Sequence, residues 1–302
     1  MRCDHYLLHA YSRIDRFRCM STASSACSSS ALIGQRVAFI GGGNMASALI
    51  GGLLRAGCRA TDLVVVDPGA DARQRLRERY GVAALAAADP TLARCRLAVW
   101  AVKPQTFRDA AAAAAPHLRD ALHVSVAAGI RCASMQAWLG SGRIVRTMPN
   151  TPALVGQGMT GVYALPGVSA EDRTLAEALI AVTGRWVWVD DEAALDAVTA
   201  LSGSGPAYVF YFLEAMREAG TQMGLSPAVA LELAIGTFVG AAHLAQDAGE
   251  PPEVLRERVT SKGGTTAAAL AVLEAANVKN RFIDALHAAR RRAQELGDAF
   301  GT

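Results

Sequence analysis

Between the apolar run Val37-Ala38-Phe39-Ile40 and an apolar stretch reaching Leu54 stands Gly41-Gly42-Gly43-Asn44-Met45-Ala46. This segment constrains the fold most. A short strand, a glycine turn and then a helix is the setting in which G-x-G-x-x-A spacing means dinucleotide binding. Gly41 permits the tight turn, Gly43 lets the backbone approach a pyrophosphate, and Ala46 is small enough for the helix to lie on the strand. Free N–H groups at the helix start, with the positive end of its dipole, suit phosphate. Gly57 predicts a left-handed cap after that helix.

The alternation continues. Leu63-Val64-Val65-Val66 reads as a second strand ending in Asp67, where an acid hydrogen-bonds ribose hydroxyls and repels the 2′-phosphate of NADP. Arg73 and Arg75 follow closely and would receive such a phosphate, so the cofactor is NADPH or NADH, leaning towards NADH. A helix is expected over 73–80, a strand over 98–102 closed by Lys103-Pro104, and a helix over 107–115 stopped by Pro116. Further strands are expected at 123–129 and at 144–146. Near-continuous apolar strands between helices predict a parallel sheet covered on both faces. Its ligands bind beyond the C-terminal strand ends. Asn44, Met45, Ala101, Val102, Lys103, Pro104, Ala128, Gly129 and Asn150 all fall at such ends or on the glycine turn, and are candidate cofactor contacts.

After Val189 the pattern becomes helical and alanine-rich. The stretch from Pro206 to about residue 220 or 223 carries Tyr208, Phe210, Tyr211, Phe212, Leu213 and Met216, leaving almost no polar face. A helix apolar nearly all round must be buried, and a helical segment of about 110 residues is too small to bury that surface itself. Packing between subunits is expected. Val259-Thr260-Ser261-Lys262-Gly263-Gly264-Thr265-Thr266-Ala267 places hydroxyls and glycines before an alanine-rich helix running to about Ala275. Spacing alone favours a plain capped turn between helices, and the exposed backbone donors also suit a carboxylate.

The rest of the chain excludes more than it adds. Across 302 residues, 52% hydrophobic and 19% charged with net charge +3, there is core material in plenty and no basic cluster for nucleic acid. No uninterrupted apolar run of about 20 residues predicts a membrane span. The six cysteines form no C-x-x-C pair and no metal-ligand set, which fits a reducing compartment and a cytoplasmic enzyme. No metal is expected. Residues 21–30 are a Ser/Ala-rich run of low complexity. Residues 1–35 are therefore expected to be a disordered tail, or a start assigned too early with Met20 the initiator. The arginines before that run match a transit peptide only in part, because acids accompany them. Two domains then follow, a Rossmann-type α/β domain over 36–190 and an all-α domain for dimerisation and substrate binding over 191–302.

Met148-Pro149-Asn150-Thr151-Pro152, Ser202-Gly203-Ser204-Gly205-Pro206-Ala207-Tyr208 and Val259–Thr266 together resemble the marks of pyrroline-5-carboxylate reductases. The glycine turn, Val102-Lys103-Pro104 and Ala127-Ala128-Gly129 fit in the same order. The resemblance spans Arg36 to about Leu296, and departs where many members have Pro in place of Lys262. It implies that Ser261, Gly263, Gly264, Thr265 and Thr266 bind the substrate carboxylate, and that Thr266 hydrogen-bonds the ring nitrogen as the catalytic hydroxyl. It also implies an interlocked helical homodimer or a larger assembly of dimers. The small-molecule substrate would be reduced by hydride from the nicotinamide, without a dedicated strong acid. No His lies in any motif. A β-hydroxyacid dehydrogenase fits less well, because Lys262 lies in a loop and Lys279-Asn280 comes late. A nucleotide sensor would not need the Ser261–Thr266 loop.

Overall fold

The computed structural model describes residues 29–300. It divides into two compact units. One is the chain up to Gly203 together with that from Arg291 onward, and the other is Ser204–Arg290. The expected tail covers residues 1–28, which lie outside the described residues, and residues 29–35. The latter belong to the first unit: a single 3-10 turn at Ser29–Leu32 buries Leu32 in the core, and the Cys58 thiol donates to its carbonyl.

The first unit is built on an eight-stranded sheet in the order β3-β2-β1-β4-β5-β6-β7-β8. The strands are β1 Val37–Ile40, β2 Leu63–Val66, β3 Ala83–Leu85, β4 Leu97–Trp100, β5 Leu122–Ser125, β6 Ile144–Met148, β7 Gly158–Ala164 and β8 Gly184–Trp188. The helices between them are α1 Asn44–Arg55, α2 Ala70–Tyr80, α3 Pro104–Ala114, α4 Cys132–Leu139 and α5 Ala170–Ala181, with α6 Ala194–Val198 following β8. The short strands β1, β2 and β4 are apolar at every position because both faces are covered. Val37 and Phe39 enter one core cluster while Ala38 and Ile40 enter the other. Alternate residues of a strand point to opposite faces, so a continuous apolar run has a use at every position.

The sheet is not parallel throughout. β7 runs antiparallel to β6, pairing Val145 with Ala164 and Met148 with Gly161. Neither β3 nor β7 is evident in the sequence. β3 has three residues of modest strand propensity, and β7 carries two glycines, which read as loop. Gly161 has a packing reason: a Cβ there would lie 2.7 Å from Val198 Cγ1, so α6 can sit directly on the strand. Leu195 and Asp196 of α6 are buried with it, and the compact division falls at Gly203 rather than 190.

The second unit is helical: α7 Gly205–Gln222, α8 Pro227–Ala248, α9 Pro252–Arg258, α10 Thr265–Ala275 and the greater part of α11 Val278–Phe300. Its internal packing is thin. α7 and α8 approach closely where Gly220 meets Ala230, with room for no Cβ at Gly220 (2.7 Å). Tyr208 and Phe212 meet Phe282 edge-on at 5.6 and 5.8 Å. Ser204, the N-cap residue of α7, makes no side-chain cap hydrogen bond. Between Ser204 and Arg290 only Gly220, Ala230 and Ala234 are buried, while Tyr211 is 70% exposed, Leu233 57% and Val272 68%. Among the described helices, α8 is long and apolar enough to cross a membrane by length and composition, with mean hydropathy 1.6 over eighteen residues. That departs from the sequence expectation, because the isolated Glu232 interrupts the run without lowering its average much.

Candidate active site

The first-unit candidates converge because of topology. β1, β2, β4, β5 and β6 are neighbours in one parallel array, so the segments leaving their C-terminal ends share a rim. The chain order reverses between β1 and β4, which is where such sheets bind ligands.

At that point the glycine turn follows Ile40. Gly41 adopts φ +99°, and a Cβ on it would lie 2.5 Å from the Ala101 carbonyl oxygen. The turns after β1 and β4 touch through a position only glycine can hold. Gly43 is the N-cap of α1. It has no side chain to cap the first-turn N–H groups, and nothing lies within 4 Å of where its Cβ would be. Gly43 and Asn44 are exposed, Met45 packs partly against the core, and Ala46 is fully buried beneath the turn. Open space in front of uncapped N–H groups fits a dinucleotide pyrophosphate.

Asp67 closes one side of this cradle. Its Oδ2 accepts from the Gly42 N–H at 2.7 Å and its Oδ1 from the Gly69 N–H at 2.8 Å. Arg73 turns back to donate to the carbonyls of Asp67 (2.8 Å) and Pro68 (2.7 Å). On the other side, Ala101 and Val102 are half-buried and lead to exposed Lys103, the N-cap of α3, with Pro104 in its first turn. Beyond β5, Ala127 is buried, Ala128 exposed, and Gly129 left-handed at φ +76°. Asn150 has its polar atoms engaged by its own chain. Its amide donates to the Ser202 carbonyl at 3.2 Å, and its oxygen accepts from the Met159 N–H at 2.9 Å. Within the first unit it therefore ties the end of β6 to β7 and to the turn at Thr199–Gly203.

In the second unit the expected loop stands as a turn between α9 and α10. Gly263 is left-handed at φ +75°, the Gly264 N–H donates to the Ser261 carbonyl at 3.0 Å, and Gly264 is the N-cap of α10. A Cβ on Gly264 would lie 2.5 Å from Ser261 Oγ. The hydroxyl thus sits over the start of α10, where no side chain caps the first turn. Thr265 and Ser261 are exposed and Thr266 is half-buried, and among the described residues no hydrogen bond engages the hydroxyls of Thr265 or Thr266. Thr260 is different: its hydroxyl returns to the Arg256 carbonyl and closes α9. No group of three or more His, Cys, Asp or Glu gathers among the described residues as metal ligands would.

Comparison with known proteins gives the family. A pyrroline-5-carboxylate reductase of Pseudomonas aeruginosa is 44% identical over 268 residues, covering 88% of this chain and 98% of that protein. The chain belongs to the pyrroline-5-carboxylate reductase family. Residues 192–296 match the profile described as pyrroline-5-carboxylate reductase dimerisation, and residues 36–129 that of an NADP oxidoreductase, coenzyme F420-dependent. The reductase of Pisum sativum is 38% identical, with 85% and 94% of the two chains covered. A solved reductase from Coxiella burnetii superposes with TM-score 0.81 at 37% identity, covering 87% of this chain and 98% of that one. The pyrroline carboxylate reductase of Plasmodium falciparum, solved with NADP bound, gives TM-score 0.77 at 28% identity with the same coverage. The exposed apolar helices of the second unit, α8 among them, lie within the stretch that matches the family's dimerisation profile.

Three contributors escaped the sequence reading. Gly42 supplies the N–H that Asp67 binds, yet the motif's spacing singles out its neighbours. Ser202 lay inside a family motif, but only its contacts with Asn150 and, through its hydroxyl, the Met159 carbonyl reveal a tie. Arg131 lies two residues beyond the Ala127–Gly129 motif, and no local pattern announces its partners.

Proposed function

We propose that the chain reduces 1-pyrroline-5-carboxylate to L-proline, the last step of proline biosynthesis, with NADPH or NADH as hydride donor. The observation that carries this reading is 44% identity along nearly the whole of a curated pyrroline-5-carboxylate reductase, with the Ser261–Thr266 loop intact.

Bound nicotinamide supplies the hydride, and the imine takes it most readily when its nitrogen carries a proton. The work left to the protein is placement. The N–H groups at the start of α10, with the Ser261 hydroxyl and the Gly263–Thr265 backbone, suit the substrate carboxylate. Thr266 orients the ring nitrogen by hydrogen bonding. A threonine hydroxyl is a poor acid, so the proton comes from solvent or arrives with the iminium already formed. Gly41, Gly43, Asn44 and Met45, on the turn that Ala46 packs beneath, would hold the pyrophosphate, and Asp67 would serve the adenosine ribose. Ala101–Pro104 and Ala128-Gly129 would contact the remainder of the cofactor, with Asn150 holding its strand end in place. The apolar faces of α7 and α8 support a homodimer or a ring of dimers, and the free thiols of Cys58, Cys95 and Cys132 suit the cytoplasm.

The test follows loss of reduced-cofactor absorbance with pyrroline-5-carboxylate, using NADH and NADPH in parallel. Turnover by the wild type that falls about 100-fold in Thr266→Ala and returns in Thr266→Ser is the expected result. No turnover with either cofactor sinks the assignment.

A further inference from the structure

The turn that carries Ala128 and Gly129 is held from behind by the end of the chain. Phe300 and Leu296 of α11 lie against Gly129, whose Cβ, if present, would be 3.2 Å from Phe300 Cδ2 and 3.7 Å from Leu296. Two residues on, the Arg131 guanidinium binds two carboxylates at once. One is Asp196 of α6 (Nη1 to Oδ2, 3.2 Å) and the other is Asp298 of α11 (Nη2 to Oδ1, 3.3 Å). Asp196 is almost completely buried, so Arg131 is not free to swing away without stranding a carboxylate. Gly297 makes the approach possible, because a Cβ there would fall 2.9–3.0 Å from three guanidinium atoms. Next along, the Cys132 N–H donates to Glu192 Oε1 at 2.7 Å, and Arg146 clamps that same oxygen at 2.6 Å. The turn is thus fastened by three segments remote in sequence.

We infer that Arg131 and the last two turns of α11 act as a latch that positions the Ala127–Gly129 turn for NAD(P)H, making Arg131 and Gly297 positioning residues for cofactor binding. The inference rests on the reading of Ala128-Gly129 as cofactor contacts. A glycine turn on a strand end has little stiffness of its own, and a displacement of about 1 Å at a positioning group suffices for large losses. Gly297→Ala presses a methyl group against a guanidinium that two carboxylates pin, and removes no charge. Arg131→Lys keeps the charge but cannot bridge both acids in one plane.

The experiment measures the dissociation constants of NADH and NADPH by quenching of intrinsic tryptophan fluorescence, beside steady-state kinetics and melting temperature. It compares the wild type with Gly297→Ala, Arg131→Lys and Ala128→Val. For Gly297→Ala and Arg131→Lys we expect cofactor dissociation constants and cofactor KM raised about tenfold. kcat and the KM for the imino acid should stay within about twofold of the wild type, because the second-unit loop is untouched. Lowered melting temperature with unchanged cofactor affinity in both variants overturns the latch and leaves ordinary structural support. Unchanged affinity in Ala128→Val as well removes the cofactor reading of the turn, and the latch with it. Weakened binding in Ala128→Val alone refutes the latch only.

Discussion

The carboxylate of Asp67 accepts the Gly42 N–H at 2.7 Å, so the acid at the end of β2 is anchored to the glycine turn itself. Its other oxygen is held by Gly69, while Arg73 spends its guanidinium on the Asp67 and Pro68 carbonyls. The charge therefore stands at a fixed place beside the cradle, and the nearby cation is committed to backbone. A 2′-phosphate brought there meets negative charge.

The expected outcome is a higher kcat/KM with NADH than with NADPH. In Asp67→Ser the NADPH-to-NADH ratio should rise about tenfold, the size of a 1.4 kcal/mol repulsion removed. Parallel steady-state assays with the two cofactors measure it. A ratio unchanged by the substitution would show that Asp67 has no part in the choice.

Gly264→Ala would force Ser261 off the start of α10, because the new Cβ falls 2.5 Å from its hydroxyl. KM for the imino acid should rise about tenfold or more with cofactor KM unaltered. Ser261→Ala should move the same parameter in the same direction. A change confined to cofactor KM would contradict the assignment of this loop to substrate.

His123 predicts an acid limb in stability. Trp100 Nε1 donates to its Nδ1 at 3.1 Å, and Nε2, which then carries the proton, has no partner among the described residues. Burial, with a smaller effect from the Arg143 charge, pushes its pKa down from 6.5 to about 4. Above pH 6.5 both folded and unfolded states are neutral here, and the group has no effect. As pH falls from 6.5 to 4 the unfolded state takes up a proton that the folded state refuses, so stability falls, by up to about 3 kcal/mol. Below pH 4 this effect levels off. His123→Gln retains an acceptor for Trp100 and should flatten the dependence of unfolding free energy on pH across that window. Identical slopes in wild type and variant, by urea titration, would dismiss His123 as the source.

The exposed apolar face of α8 should be a subunit contact. Leu233→Arg, placing charge on a position 57% exposed in the single chain, is expected to shift the assembly towards monomer in light scattering and to reduce turnover with it. Wild-type mass and full activity in the variant would locate the contact elsewhere.

Much of this protein was readable from local sequence. The glycine turn, the short apolar strands β1, β2, β4, β5 and β6, and the loop before α10 all declare themselves within a few residues. Their causes, φ freedom at glycine, two-faced burial and uncapped helix starts, act over that range. The apolar surplus of α7 likewise pointed to other subunits, and the family's dimerisation region answers to it. The antiparallel β7, the burial of Leu32, the inclusion of α6 in the first unit and the Arg131 latch were not readable. Arg131 and Asp298 lie 167 positions apart, and neither residue carries a sign of the other. Gly161 and Gly297 look like breaks in a pattern until the side chains that fill their missing Cβ positions are in place. The sequence by itself determined where the glycine turn, the short apolar strands and the loop before α10 lie, and which backbone groups they offer. Only the tertiary structure decided how those segments are held, because close packing selects partners by position in space rather than along the chain.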